Sequence, residues 1–120
     1  MNILVVDDNQ YVLEVISFML KEEDYTLETC GSVDEAIEVL EAGEEYGLVI
    51  TDIVLPEKDG TKLAQYVKDK HPTIPVLAIT GGVENATEDY VNYADMFADE
   101  TMAKPLKKDE LITTIKRLAA

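Results

Sequence analysis

The sequence predicts an α/β fold, namely a doubly wound sheet of five parallel strands with helices on both faces. Short apolar runs alternate five times with segments whose apolar residues recur at helical spacing. Most of these runs are continuously apolar, which is typical of parallel strands that are buried on both faces. The length of 120 residues suits one domain, so we expect residues 1–120 to form it without an output domain.

The first two strand–helix units carry clear local signals. Residues 3–6 are a β-branched apolar run, and residues 11–20 show helical spacing. The face of this helix that we expect to be buried carries Val12, Val15, Ile16 and Met19. Residues 25–29 alternate between apolar and polar, which indicates a weaker strand. Ser32, with a glutamate three residues later, is a capping box that begins the second helix, and Gly43 is placed to end it.

The remaining three units follow the same alternation. Residues 48–51 and 75–79 are apolar runs, and residues 84–94 have helical spacing. Residues 100–103 are a weakly marked fifth strand, and residues 106–118 form the last helix. The helix after the third strand carries Leu63, Ala64 and Val67, and the last helix carries Leu111, Ile112, Ile115 and Leu118 on one face.

The net charge of the chain limits which kinds of molecule it can bind. The chain has 10 Lys and Arg against 25 Asp and Glu, a formal net charge of −15. Such a field repels phosphate backbones and anionic lipids, so we expect no binding to nucleic acid or to a membrane. The single cysteine, Cys30, excludes an internal disulfide. The sequence shows no signal peptide and no long apolar run, and we therefore expect a cytoplasmic protein.

Polar residues follow the predicted strands at their carboxyl ends. Asp7 and Asp8 follow the first strand, Asp52 the third, Thr80 the fourth and Lys104 the fifth. Ligands of open α/β sheets bind outside the carboxyl ends of the strands, so we expect these residues to converge. Oxygen ligands of this kind suit a hard divalent cation such as Mg²⁺. The charges of three aspartates, one divalent cation and one lysine then balance.

These residue types suit phosphoryl transfer. A carboxylate can act as a phosphoryl nucleophile, and Asp52 stands alone on the predicted central strand. Asp7 and Asp8 are adjacent and better suited to share a metal. The Thr80 hydroxyl can donate to a phosphoryl oxygen, with small Gly81 beside it, and a lysine at the fifth strand can neutralise the phosphate.

Four motifs in order make the chain resemble a known family, the receiver domain of two-component response regulators, which includes the single-domain chemotaxis receiver. The resemblance covers nearly all 120 residues. Its motifs are Val5-Val6-Asp7-Asp8-Asn9, Thr51-Asp52-Ile53-Val54-Leu55-Pro56 with Asp59-Gly60, Ile79-Thr80-Gly81, and Ala103-Lys104-Pro105. The resemblance implies a flavodoxin-like fold of the receiver type.

The resemblance also implies a set of site residues. Asp52 would be the phosphoacceptor, and Mg²⁺ or Mn²⁺ would be held by Asp8 directly, by Asp7 through water, by Asp52 and by the backbone carbonyl of Val54. Thr80 would sense the phosphate, with Gly81 next to it. Lys104 would pair with the phosphate, and the Lys104–Pro105 peptide is often cis in this family.

The sequence departs from the family pattern in two places. Members usually carry Tyr or Phe three residues before the lysine, and the rotamer of that ring couples phosphorylation to the output surface. Thr101 occupies this position here, which puts the aromatic switch in question. The stretch before the lysine is acidic, which favours a partner with basic residues. Its acids are Glu84, Glu88, Asp89, Asp95, Asp99 and Glu100.

The predicted function is a phosphoacceptor signalling module, not an enzyme. A histidine kinase or a histidine phosphotransfer protein would donate a phosphoryl group to Asp52 in a Mg²⁺-dependent reaction. The phosphorylated chain would change conformation and act on a downstream partner by contact or by onward phosphotransfer in a phosphorelay. We expect a monomer or a transient dimer.

Three other functions compete with this one. A haloacid-dehalogenase-type phosphatase needs a second Asp two residues after its nucleophile, where this chain has Val54. An apolar residue there also cannot position a hydrolytic water, so we expect a long-lived phosphate that Val54→Asn shortens. A flavodoxin-type electron carrier needs a hydroxyl-rich phosphate loop, and Asp7 and Asp8 would repel the flavin phosphate. An unphosphorylated scaffold is the third alternative, and the intact acidic residues disfavour it.

Overall fold

A computed structural model describes residues 1–53, 60–80 and 98–119 of the chain. Five strands and four helices lie within these ranges. The strands are β1 (Asn2–Val6), β2 (Thr26–Cys30), β3 (Leu48–Asp52), β4 (Val76–Thr80) and β5 (Glu100–Ala103). The helices are α1 (Gln10–Leu20), α2 (Val33–Glu41), α3 (Gly60–Lys70) and α4 (Lys108–Ala119).

The five strands form one parallel sheet in the order β2-β1-β3-β4-β5. The chain passes outward from β1 to the edge strand β2, returns across β1 to β3, and then continues outward to β5. The direction of winding therefore reverses between β1 and β3, and the carboxyl ends of these two strands flank the switch point. The predicted fold class, a doubly wound flavodoxin-like sheet, is confirmed.

Two apolar layers cover the sheet, one on each face. Helices α2 and α3 pack against Leu4, Val6 and Val49, whereas α1 and α4 pack against Ile3, Val5 and Ile50. Successive residues of a strand point to opposite faces. Both sets of side chains are buried here, and this explains why β1 and β3 are continuously apolar in the sequence.

The buried face of α1 is rotated slightly from the predicted one. In α1 the fully buried residues are Leu13, Ile16 and Leu20. The predicted Val12, Val15 and Met19 are only partly buried. Almost every residue on three sides of α1 is apolar, so spacing alone does not centre its buried stripe. The contact with the sheet and with α4 determines which of these side chains is fully covered.

The last helix begins two residues later than predicted. Its first residue is Lys108, and Leu106 precedes it outside the helix. Leu106 nevertheless packs against the apolar layer of α1 and α4. It therefore extends the apolar pattern without belonging to the helix, which misled the prediction. The helix predicted over residues 84–94 lies outside the described residues.

The predicted start and end signals of α2 are both present. The Ser32 hydroxyl accepts a hydrogen bond from the Glu35 backbone N–H at 3.1 Å, and the Glu35 carboxylate accepts one from the Gly31 N–H, also at 3.1 Å. Gly43 follows the helix with φ of 92°, a left-handed conformation that favours glycine. Among residues 1–53, 60–80 and 98–119, no helix combines the length and apolar character that crossing a membrane requires.

Candidate functional site

The switch point between β1 and β3 brings two aspartates together. Asp7 directly follows β1, and Asp52 is the last residue of β3. Val6 pairs with Thr51 in the sheet, so the next residues of the two strands, Asp7 and Asp52, face each other across the strand ends. Both residues are almost fully buried, with exposures of 1% for Asp7 and 5% for Asp52.

Asp8 completes an acidic group with these two residues. One carboxylate oxygen from each of Asp7, Asp8 and Asp52 lies within 4.8 Å of the corresponding oxygens of the others. Asp8 is exposed, so the group opens toward solvent on its side. Three oxygen donors at this spacing match the ligands that hard divalent cations such as Mg²⁺ take in proteins. The residues therefore fit a magnesium site.

Lys104 reaches the same carboxylates from β5. Its Nζ atom lies 2.9 Å from Asp52 Oδ2 and 3.4 Å from Asp7 Oδ2. The lysine directly follows β5, and its backbone N–H donates to the Thr80 carbonyl at 2.8 Å. The Lys104–Pro105 peptide is cis. The three sequence-predicted charges at the ends of β1, β3 and β5 thus meet at one point.

The electrostatics of the group leave an excess of negative charge. Burial raises the pKa of the Asp7 carboxyl group, and the charge of Asp52 raises it further; the Asn9 amide and the charge of Lys104 offset only part of this. Burial alone would lower the pKa of Lys104, but its hydrogen bonds and charge contacts with Asp52 and Asp7 outweigh burial and raise it. The lysine is therefore a cation at neutral pH, and one cation does not balance three carboxylates.

Asn9 fixes the loop that carries the acidic pair. Its backbone N–H donates to Asp7 Oδ1 at 2.9 Å, while its own side-chain oxygen accepts from the Tyr11 N–H at 2.9 Å. Asn9 is thus the N-cap of α1 and orients Asp7 at the same time. Asn9 belongs to the first of the four motifs, but the motif alone predicted no role for it. Its position directly before a helix was the available signal.

The other predicted residues lie around this centre or outside the described part of the chain. Thr80 ends β4, and its hydroxyl donates to the Met102 carbonyl at 3.4 Å, so it sits beside β5. Thr101 lies within β5 and is partly buried. Val54 and Gly81 fall outside the described residues.

Comparison with protein families gives a match over most of the chain. The model of the response regulator receiver domain matches residues 3–116. Among curated proteins, DltR of Streptococcus agalactiae is 31% identical over 97% of this chain and 50% of its own length. VanR of Enterococcus faecium is 33% identical over 95% of this chain and 48% of its own length. The chain thus spans about half the length of these relatives.

Solved structures agree with the family match. The response regulator TrrA of Thermotoga maritima, solved with Mg²⁺ and BeF, is 31% identical, covers 98% of this chain and 97% of its own, and superposes with a TM-score of 0.84. The receiver domain of the sensor histidine kinase PA1611 of Pseudomonas aeruginosa has magnesium in its active-site cleft. It is 25% identical, covers 98% of this chain and 96% of its own, and has a TM-score of 0.86.

Receiver domains bind Mg²⁺ at an acidic pocket, and this chain has an acidic group at the carboxyl ends of its strands. The motifs, the strand order, the family match and the structural likeness all lead to the same assignment. The chain belongs to the response regulator receiver domain family and is a phosphoacceptor module of two-component signalling.

Proposed function

We propose that this chain accepts a phosphoryl group on Asp52 from the phosphohistidine of a histidine kinase or a histidine phosphotransfer protein. One observation carries the proposal: the Asp52 carboxylate lies between a lysine at 2.9 Å and an acidic pair within 4.8 Å. A nucleophile, a metal-binding group and a cation for the phosphate thus share one opening at the end of the central strand.

Asp7, Asp8, Asp52 and the Val54 carbonyl would hold Mg²⁺ or Mn²⁺. When bound, the cation neutralises the carboxylates and the oxygens of the incoming phosphoryl group. Asp8 is the exposed member, so it is the first carboxylate that an entering ion meets. Asp7 is buried and tied to the Asn9 amide, so it contributes a fixed charge.

The transfer makes one bond and breaks one. An Asp52 carboxylate oxygen attacks phosphorus, the phosphorus–nitrogen bond of the donor breaks, and its electron pair stays on the imidazole nitrogen. The product is an acyl phosphate on Asp52 and a free histidine on the donor. The Lys104 ammonium, already 2.9 Å from Asp52 Oδ2, then faces the new phosphoryl oxygens and supplies positive charge to them.

The conformational signal would pass through Thr80, Gly81, Lys104 and Pro105. The Lys104 N–H donates to the Thr80 carbonyl at 2.8 Å, so the ends of β4 and β5 are mechanically joined. Added phosphate charge attracts the Thr80 hydroxyl and the lysine, and this shifts a conformational equilibrium at these strand ends. Thr101 carries no ring, which supports a signal transmitted by the backbone of β5.

The signal would leave the chain by protein contact or by onward phosphotransfer, with the chain acting as a cytoplasmic monomer or a transient dimer and not as an enzyme. Residues 1–120 would work as one receiver domain. The net charge of −15 supports a partner surface with basic residues and disfavours nucleic acid or membrane as the direct target.

Intact-mass measurement after incubation with phosphoramidate or acetyl phosphate and Mg²⁺ tests the proposal. We expect the mass of one phosphoryl group to be added to the wild type, and to be absent with a chelator or in Asp52→Asn. Asp69→Asn, which removes an exposed carboxylate of α3, is the matched control and should be phosphorylated normally. Phosphorylation that persists in Asp52→Asn would place the acceptor elsewhere.

A further inference from the structure

The hydroxyl of Thr51 contacts the backbone of the proposed phosphoacceptor. Thr51 is completely buried, and its Oγ1 atom donates to the Asp52 carbonyl oxygen at 2.9 Å. Thr51 pairs with Val6 on one side and with Ala78 on the other, so it lies in the centre of the sheet. Because its hydroxyl contacts the Asp52 carbonyl oxygen, Thr51 can affect Asp52 only through the main chain.

Gly60, the first residue of α3, lies very close to the Asp52 carbonyl. A Cβ atom built on Gly60 would lie 1.9 Å from the Asp52 carbonyl oxygen and 2.9 Å from its carbon, closer than any real Cβ contact. The Gly60 N–H also donates to the Ile53 carbonyl at 2.6 Å. Only glycine allows the helix to begin this close to the strand end, and the Asp52 carbonyl has little room to turn.

A third contact holds the peptide that follows Asp52. The Ile53 N–H donates to the Ile79 carbonyl at 3.1 Å, which extends the β3–β4 pairing one residue past the strand. The oxygen of the peptide group between Asp52 and Ile53 thus accepts a hydrogen bond from Thr51 and packs closely against Gly60, and its nitrogen donates to β4. The direction of the Asp52 side chain depends on this peptide, because Cβ moves with the backbone.

The hydroxyl at position 51 has an energetic cost that a valine would avoid. A buried hydroxyl loses its water contacts and must be paired, whereas β-branched apolar residues are the ordinary occupants of central strands. Thr51 faces the same layer as Val49, two residues earlier, where the surrounding side chains of α2 and α3 are apolar. The Thr51 hydroxyl is paired with the carbonyl of Asp52, the proposed phosphoacceptor.

We propose that Thr51 is a positioning residue for phosphoryl transfer: its buried hydroxyl, together with Gly60, holds the Asp52 main chain so that the carboxylate stays aligned with Lys104 and the acidic pair. The proposal rests on the phosphoacceptor role proposed above for Asp52. Small misalignments of a reacting group have large effects on rate, because the attacking atom must approach phosphorus along one line.

Thr51→Val keeps the shape of the side chain and removes the donor. We expect its initial rate of phosphorylation by phosphoramidate, at saturating Mg²⁺ and well below the unfolding midpoint, to fall about tenfold. Thr51→Ser keeps the hydroxyl and should restore the rate to within about twofold. Thr114→Val, which removes a buried hydroxyl from α4, is the matched control and should react at the wild-type rate.

The unfolding midpoint of each variant, followed by circular dichroism in urea, separates positioning from stability. A structural role alone would lower the midpoint of Thr51→Val and leave the rate of the folded protein unchanged, which would overturn the proposal. A wild type that accepts no phosphoryl group would instead refute the phosphoacceptor role itself. If Thr51→Val does not fold, Thr51→Cys is used instead, because a thiol has a similar shape and is a weaker donor. Phosphorylation of Thr51→Cys at the wild-type rate would likewise overturn the proposal.

Discussion

Lys104 and Cys30 show how differently burial acts on single side chains. The Lys104 ammonium is partly buried but is held between Asp52 and Asp7, so its positive charge is retained. The Cys30 thiol lies in the apolar layer beneath α2 and is held neutral. Lys104 therefore belongs to the charged site, and Cys30 belongs to the apolar core.

Lys104→Gln should have opposite effects on metal binding and on phosphorylation. Without the ammonium the acidic group is more negative, so we expect Mg²⁺ to bind about tenfold more tightly. The transferred phosphoryl group loses its cation at the same time, so the phosphorylation rate at saturating Mg²⁺ should fall. Calorimetric titration with MgCl₂ and intact-mass kinetics measure the two effects.

Lys68→Gln is the control for this change, because it removes an exposed lysine from α3, outside the site. It should leave both quantities at their wild-type values. Equal Mg²⁺ affinity in Lys104→Gln and wild type would contradict the ion pairs at 2.9 and 3.4 Å.

Cys30 should resist thiol reagents in the folded protein. Burial, and then the charges of Glu35 and Glu28, raises its pKa from 9.0 to about 12. The thiolate, which is the reactive form, is therefore scarce at pH 8. We expect negligible reaction with a disulfide reagent at pH 8 in the native protein and stoichiometric reaction in urea. Rapid labelling without denaturant would show that the thiol is accessible.

The same shift gives a pH dependence of stability with a defined sign. The unfolded chain releases the Cys30 proton near pH 9, and the folded chain holds it to about pH 12. The free energy of unfolding should therefore fall as the pH rises through this range. Urea unfolding of Cys30→Ala should show a weaker decline than the wild type, and an equal decline would assign the effect to other groups.

Among the secondary-structure elements, α4 is held by two kinds of contact. Its apolar face buries Leu111 and Ile115 against the sheet and α1. Its polar face forms ion pairs from Lys116 to Glu23 at 3.5 Å and from Arg117 to Glu100. The basic side chains of these pairs are exposed and their acidic partners are half-buried, whereas Leu111 and Ile115 are fully buried. The ion pairs should therefore contribute less to the stability of the fold than the apolar contacts.

Leu111→Ala should destabilise the protein far more than Lys116→Gln. We expect the first to cost about 2–5 kcal/mol, because it removes buried methylene groups and leaves a cavity. The second should cost less than about 1 kcal/mol, as exposed ion pairs do. Urea unfolding of both variants measures the difference. Similar losses in the two would mean that the ion pairs, and not the apolar layer, dock the helix.

The positions and types of the elements were largely predictable from local pattern. The five strands and the ends of α2 follow from runs, alternation, a capping box and a glycine, all of which involve residues close in sequence. The exact buried faces and the start of α4 were not predictable in the same way. Leu106 and the apolar sides of α1 acquire their burial from other elements, which local spacing does not specify.

The entire chain carries a net charge of −15, and this affects how the metal acts on stability. Repulsion among so many carboxylates destabilises the compact state, and any salt weakens this repulsion by screening the charges. A specific ion at Asp7, Asp8 and Asp52 should add a further stabilisation, because the unfolded chain has no such group of carboxylates.

Mg²⁺ should therefore raise the unfolding midpoint beyond the effect of ionic strength. At about 100 times its Kd, we expect about 2.7 kcal/mol of added stability in the wild type. Asp8→Asn, which removes one metal ligand, should gain much less stability from Mg²⁺. The comparison is made by urea unfolding against NaCl at equal ionic strength, with chelator added to reverse the effect. Equal midpoints in the two salts would argue against a specific site.

The amino-acid sequence was enough to predict the fold class, the family and the convergence of Asp7, Asp8, Asp52 and Lys104, because these depend on local periodicity and on which residues follow the strands. The tertiary structure was needed for the contacts between distant residues, such as Lys104 with Asp7, 97 positions apart, and Gly60 against the Asp52 carbonyl. Such contacts depend on the path of the chain through the sheet, which sequence neighbours do not encode. The buried hydroxyl of Thr51 acquires its significance in the same way, from the strand end and helix start that surround it.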